Sequence, residues 1–536
     1  MQLNNDIHTL RSIALAFDPD SIARRKQLLR ALPKQKLPKY QALITYTQTL
    51  LCISAHADSP ETFTLAQVAL LQLAKQLKRL PQRTKKQLEN SGLPYSITLS
   101  TFSHDLLREM MHDTQYDVYF DAFSNSQLTL SETLAFTLPG IEKEITATGY
   151  ANRQLLSALH LSRPQYLPFL ISEFARLDHA PFIKDELFHK LGLYVKLKPK
   201  DHSFSKAFNR IHTDTYFYHR DLIRKFDHTQ LLAQKLPAPT PLSAKKTEDM
   251  IRSMQQALIL MQRETDPITY IDAKSLRYYN LDRGLSVAIY GMIPERQLAV
   301  ESYVGYTLFK NGYPAAYGGA WVLGNRALFG VHIFEAFRGG ESAYMFCSLL
   351  RVYTQVFQLS YIEVEPYQYG KDNPEGIASG AFWFYYKFGF RPVDATLRKL
   401  AQQEFARIKR EKGYRSPTDT LLRFTESNIA LNMAAHTPIS MLDIRERTHA
   451  RIAETYNGDR RAAEVDSIAQ LKHLCAPALN GRSIPHKALS EVALLRATLH
   501  LQKSKQLQVL PKLLQTRSAD LYAYQQYLRI LLKGVV

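Results

Sequence analysis

The sequence predicts an α+β fold: a mixed, mostly antiparallel sheet with flanking helices, set between mainly helical N-terminal and C-terminal regions. Three observations carry this reading. Apolar residues recur at helical spacing through most of the first 235 positions. Three prolines at alternate positions, Pro237, Pro239 and Pro241, then forbid a continuing helix and favour an extended linker. Past residue 285 the apolar period shortens from helical to alternating, and two tight-turn signals separate the runs. The 536 residues therefore divide into a helical N-terminal region (1–235), a linker (236–246), a sheet-bearing domain (247–395) and a helical C-terminal region (396–536).

Each element has a local reason. The run Thr64 to Ala74 places apolar residues on one helix face, and Lys75, Lys78 and Arg79 follow at the end where the helix dipole favours cations. Similar patterns lie over Leu155 to Leu161, Tyr166 to Leu177 and Phe182 to Leu193. After the linker, Ile251, Met254, Leu258 and Met261 give an amphipathic helix that should end near Asp266-Pro267. Ser286 to Tyr290 and Tyr303 to Lys310 are strand-like, and Asn311-Gly312 is a strong hairpin signal because both central positions of a type I′ turn need φ > 0. Gly324-Asn325 is a second turn, between Tyr313 to Val322 and Ala327 to Phe334, so the three strands make a meander. Next come a helix carrying Phe346, Leu349, Leu350, Tyr353 and Phe357, the strand Tyr361 to Glu365, and an aromatic helix from Gly380 that stops at Gly389. Asp394 is the expected cap of a further helix running to Gly413, and Ile468 to Leu474, Leu489 to Leu501 and Tyr522 to Leu532 extend the helical pattern.

Composition narrows the function classes. No stretch of about 18 apolar residues occurs, which excludes an evident membrane-spanning helix. The first residues lack the basic and apolar segments of a secretory signal, so a cytoplasmic location is expected. Cys52, Cys347 and Cys475 are odd in number and far apart, without metal-ligand spacing, so buried free thiols and no metal centre are expected. The net charge of +19 points to an anionic partner, but it is regional. Between Arg24 and Lys86 thirteen basic residues face only Asp58 and Glu61, whereas residues 300–395 carry seven basic against eight acidic side chains. The basic stretch is either a solvated helical face or the contact for an anionic partner such as RNA.

The chemistry-bearing motif is Arg338-Gly339-Gly340-Glu341-Ser342-Ala343, where a strand feeds a helix through two glycines. Backbone N–H groups at such a helix start form an anion site suited to a pyrophosphate, although a Gly-Gly turn can also be only a turn. A second motif is Tyr385-Tyr386-Lys387-Phe388-Gly389-Phe390, with Ala381 one turn earlier. Together with the β-β-β-α-β-α order, these segments resemble the GNAT acyltransferase superfamily over roughly residues 285 to 395. The resemblance implies acetyl-CoA or another acyl-CoA as co-substrate. Its phosphates and pantetheine would lie at Ile333, Phe334, Arg338, Gly339, Gly340, Ser342 and Ala343. It implies Tyr385 as the acid that protonates the departing thiolate. Two positions depart from the family pattern: Glu341 stands where its glycine is expected, and Ala378 where an asparagine is common. A carboxylate facing a pyrophosphate would repel it, so Glu341 must point away for the site to work.

An amine acceptor also needs a base. Glu365 is the favoured candidate, with Glu335, Glu363 and His332 as others, each of which can equally be a solvated or structural group. The aromatic run Phe382 to Tyr386 can line a pocket or fill a core. The leading expectation is an acyl-CoA-dependent N-acyltransferase acting on an amine-bearing substrate. Two alternatives stay open: a non-catalytic interaction scaffold of the same fold, and a transferase using aminoacyl-tRNA, with the basic N-terminal stretch as the RNA contact.

Overall fold

The computed structural model describes residues 2–298, 300–434, 436–479, 484–501, 504–533 and 535. A sheet of eight strands dominates it: β4 (Arg277–Asn280), β5 (Leu285–Tyr290), β6 (Ser302–Lys310), β7 (Tyr313–Leu323), β8 (Arg326–Ile333), β9 (Tyr361–Val364), β10 (Arg391–Pro392) and β11 (Ile429–Asn432). Their spatial order is β10-β11-β9-β8-β7-β6-β5-β4, and every neighbouring pair is antiparallel except β8 with β9. That one parallel pair follows from its connection. The chain leaves the end of β8, crosses over through the helix Ser342–Phe357 and re-enters in the same sense, which a tight turn cannot achieve.

The meander is the one the turn residues specify. Asn311 and Gly312 adopt φ of 46° and 84°, as a two-residue hairpin between strands of right-handed twist requires. The crossover helix presents Met345, Phe346, Leu349, Leu350 and Tyr353 to the sheet, all with no exposed surface. Burying each such side chain contributes about 1.5–3 kcal/mol. Tyr353 also donates its hydroxyl to the Val304 carbonyl at 2.8 Å, so the phenol carries no unmet polar group into the core.

Two strand systems depart from the expectations. The N-terminal region, read as helical, also holds a three-stranded antiparallel sheet of β1 (Thr98–Ser100), β2 (Tyr116–Phe123) and β3 (Leu193–Pro199), ordered β1-β3-β2. In β3, Leu193, Val195 and Leu197 are buried while Tyr194, Lys196 and Lys198 face outward, a period of two lying directly behind the helix Pro181–Lys190. The C-terminal region, also read as helical, supplies β11, which inserts between β9 and β10. The sheet is thus not confined to residues 247–395. The last C-terminal helices pack through Leu513, Leu528 and Leu531 against Val300 and Leu323 at one end of the sheet. No helix among the described residues is long and apolar enough to cross a membrane.

The linker is extended, as its prolines demand, but it is anchored. Gln355 accepts from the Leu236 amide at 2.8 Å, and Arg351 donates to the carbonyls of Gln234 and Lys235 at 2.8 and 2.7 Å. The preceding segment docks as tightly, because Asn311 exchanges hydrogen bonds with both the amide and the carbonyl of Phe217.

Candidate functional site

β8 and β9 pair over only three positions, Arg326 with Tyr361, Ala327 with Ile362 and Leu328 with Glu363. β8 then continues to Ile333, while β9 ends at Val364 and the chain turns through Pro366–Tyr369. The two strands part, and a cleft of about 590 Å³ opens over the parting, within the size range of small-molecule sites. Its lining includes Ile333, Arg338, Ser342, Glu365 and Gln368.

At the parting, the amide of Val331 no longer has a strand to bond. It donates instead to Oε1 of Gln368 at 3.2 Å, and the Tyr385 hydroxyl reaches the same oxygen at 3.3 Å. Tyr385 is almost wholly buried among Phe346, Phe384 and Phe390, and burial pushes its hydroxyl above the ordinary phenol range, so it stays protonated at neutral pH. Two donors on different elements therefore converge on one carbonyl oxygen.

The Arg338 turn borders the same cleft. Gly339 and Gly340 have φ of 79° and 52°, consecutive left-handed positions that glycine accepts without strain. Ser342 closes the turn, its amide and hydroxyl both bonding the Gly339 carbonyl, at 2.9 and 2.7 Å. In the first turn of the following helix, the amides of Ala343 and Tyr344 have no carbonyl within the helix to bond. Arg338 bonds the Ile333 carbonyl at 3.0 Å and forms an exposed ion pair with Glu375. The Phe334 amide is bonded to Ala315 on the β7 side, whereas the Val331 amide is bonded to Gln368 on the cleft side.

Glu341 points away from this cleft, into the protein. Its carboxylate is buried and bonds Lys310 Nζ at 2.8 Å, Arg283 Nε at 2.8 Å and the Ile223 amide at 3.1 Å. Burial pushes its carboxyl up, but the Lys310 charge and hydrogen bond, with the Ile223 amide, outweigh that and bring it down to about 2. Lys310 is itself without exposed surface. The residue that breaks the family pattern is thus absorbed by an interior ion-pair network.

The candidate bases separate. Glu365 is exposed and lines the cleft. Glu363 is buried, paired with Arg326 and hydrogen-bonded by Asn428 at 2.8 Å. Glu335 is exposed, accepts from Gln48 at 2.8 Å and borders a neighbouring cavity of about 520 Å³ between the N-terminal helices and the β8 end. Phe334 also borders that cavity, and His332 lies at the junction of the two spaces. Burial, Arg263 and Arg338 lower His332 to about 4, so it is neutral at physiological pH.

One wall of the cleft had no signal in the sequence motifs. Tyr303 stacks on Trp321 with ring centroids 4.2 Å apart, and Tyr317 accepts from Arg263 at 3.1 Å. Gly319 makes this possible, since a Cβ there would sit 2.4 Å from the Tyr303 ring. Gln368 was equally silent. Most of the aromatic run fills the core: Phe382 stacks on Phe424 at 4.0 Å, and Phe382, Tyr385 and Tyr386 are buried.

The basic N-terminal stretch is partly neutralised from within. Arg25 is buried against Asp58 at 2.5 Å, and Lys26 and Arg30 share Glu61. All three cysteines are buried and free, and burial pushes the Cys52 and Cys347 thiols up to about 12. Among the described residues, the acidic and histidine side chains with metal-like spacing are His104, Asp105 and Asp178; Lys184 lies 2.6 Å from both carboxylates, which also pair with Arg108, and Asp105 with Arg296.

Compared with known proteins, the chain matches no protein-family model, no curated protein and no solved structure.

Proposed function

We propose that the cleft at the β8–β9 parting is the centre of an acyl-CoA-dependent N-acyltransferase. The observation that carries this reading is the convergence of the Val331 amide and the Tyr385 hydroxyl on a single carbonyl oxygen beside the Arg338-Gly339-Gly340 helix start. An acyl thioester laid in the cleft would direct its carbonyl oxygen at those donors, and the Val331 amide would stabilise the oxyanion formed when an amine attacks. The carbon–sulfur bond then breaks, the electron pair leaves on sulfur, and Tyr385 supplies the proton to the thiolate. The proton lost by the amine passes to Glu365 or a water it orders. Arg338 and the first-turn amides of Ala343 and Tyr344 suit the co-substrate's phosphates. The wall of Tyr303 and Trp321, with Glu365 at the rim, suits a cationic amine acceptor.

The experiment is calorimetric titration of the full chain with acetyl-CoA. Binding by the wild type and its loss in Gly340→Asp, which adds a carboxylate to the turn, are the expected results; no binding at millimolar co-substrate overturns the reading. With an amine acceptor in hand, Tyr385→Phe should lower turnover by about 100-fold while leaving co-substrate affinity near the wild type. A second reading, a non-catalytic scaffold, draws on a different fact: the Val331 and Tyr385 donors are satisfied by Gln368, and Arg338 by Glu375. The same titration separates the two.

A further inference from the structure

We propose that Gln368 is a tethered stand-in for the acyl carbonyl, holding the donor pair ready until a thioester displaces it. The inference rests on the acyltransferase reading and adds a residue that sets preference for acylated over free co-substrate. Four observations carry it. Gln368 Oε1 takes both donors, the Val331 amide at 3.2 Å and the Tyr385 hydroxyl at 3.3 Å. An sp² amide oxygen between two donors has the geometry that a thioester oxygen needs in the same place. Among the described residues, the other end of the carboxamide, Nε2, has no hydrogen-bond partner, so the side chain is held at one atom only. Finally, Gln368 lies half-buried on the short turn Pro366–Tyr369, just after exposed Glu365 and Tyr367, and faces Gly330, where even an added Cβ would stand 3.5 Å from Nε2. Displacing the side chain gives up those two hydrogen bonds.

The arrangement has a physical purpose. Without an occupant, the Val331 amide and the buried Tyr385 hydroxyl would be donors with nothing to bond, a costly state that invites local repacking. The carboxamide satisfies them and keeps them aimed at one point. An incoming acyl carbonyl then exchanges like for like, while free CoA, which has no carbonyl at that position, leaves Gln368 where it is. Discrimination between acylated and free co-substrate is thereby reduced by the bonds that Gln368 must give up.

The test compares acetyl-CoA with CoA by calorimetry on the full chain for the wild type, Gln368→Ala and Gln368→Glu. Removing the stand-in should raise the ratio of acetyl-CoA to CoA affinity by about tenfold, the worth of the exchanged hydrogen bonds. Gln368→Glu keeps an acceptor and strengthens it with charge, so the ratio should fall below that of the wild type. An unchanged ratio in both variants, with both ligands still bound, overturns the proposal and leaves the acyltransferase reading standing. Failure of all three proteins to bind either ligand overturns that reading and this proposal with it. A thermal shift accompanies each titration. If Gln368→Ala is too unstable to titrate, the Gln368→Glu ratio decides alone.

Discussion

The two sides of the Arg338-Gly339-Gly340 turn hold one carboxylate each and treat it in opposite ways. On the inner side, Glu341 is sealed from solvent between Lys310 and Arg283 and tied to the backbone at Ile223. On the outer side, Glu375 pairs with Arg338 at the surface, the side chains 67% and 39% exposed. A buried pair is weak evidence of net stabilisation, yet breaking it strands a charge in low dielectric. An exposed pair is worth little and exchanges readily. The inner side therefore fixes the shape of the turn, while the outer side remains free to trade partners with a ligand.

This contrast can be broken in several ways. The largest effect should come from Glu341→Ala, which leaves Lys310 buried without its counter-charge; unfolding in urea should show a loss of about 3–5 kcal/mol. Pairing that change with Lys310→Met should recover most of it, and a loss under about 1 kcal/mol in the single variant would show the inner side to be as dispensable as the outer. Acid should act on the same interior. The Glu341 carboxyl is held near 2 against an ordinary value of 4.5, so over that interval the unfolded chain binds the extra proton, and the stability it contributes disappears as pH falls from 4.5 toward 2. His56, kept neutral by burial and lowered to about 3 from 6.5, works in the same direction and begins earlier, from pH 6.5 downward. Denaturation midpoints of wild type and His56→Gln between pH 7 and 4 should converge as pH falls; parallel curves would remove the histidine from this account.

The outer side should respond in binding and not in stability. Arg338→Ala should weaken acetyl-CoA by about tenfold with a stability change below about 1 kcal/mol. Glu375→Gln should do the reverse and least: releasing Arg338, it should tighten acetyl-CoA or inorganic pyrophosphate by about two- to fivefold at low salt, a gain that fades as salt rises. If Arg338→Ala instead unfolds the protein, the outer pair is structural and the contrast collapses.

What was legible in the sequence divides along the same line between local and distant causes. The Asn311-Gly312 turn could be read because its residues state their own backbone angles, and the crossover helix because five apolar residues share one face. Tyr385 and Arg338 were visible through a resemblance in local spacing; Arg338 borders the cleft, and Tyr385 is buried behind it, bonded to the cleft-lining Gln368. The fate of Glu341 was not visible, because its partner Lys310 lies 31 positions away at the end of a strand, although a lone charge on the apolar run Tyr303 to Lys310 was a clue. Gln368 carries no local signal at all; it matters only because β9 stops short of β8. β11 spans four residues and β1 three, too few for alternation to stand out against their surroundings.

The insertion of β11 bears on the order in which the chain can complete itself. β9 bonds β8 along one side, and along the other it waits for residues 429–432, which follow four further α-helices. Until those residues emerge from synthesis, one flank of β9 is an unpaired strand, a template for pairing with another chain. The contact is also remote in sequence, and such closures are slow. A polypeptide cut after residue 395, where the resemblance ends, would carry that raw flank permanently and should self-associate.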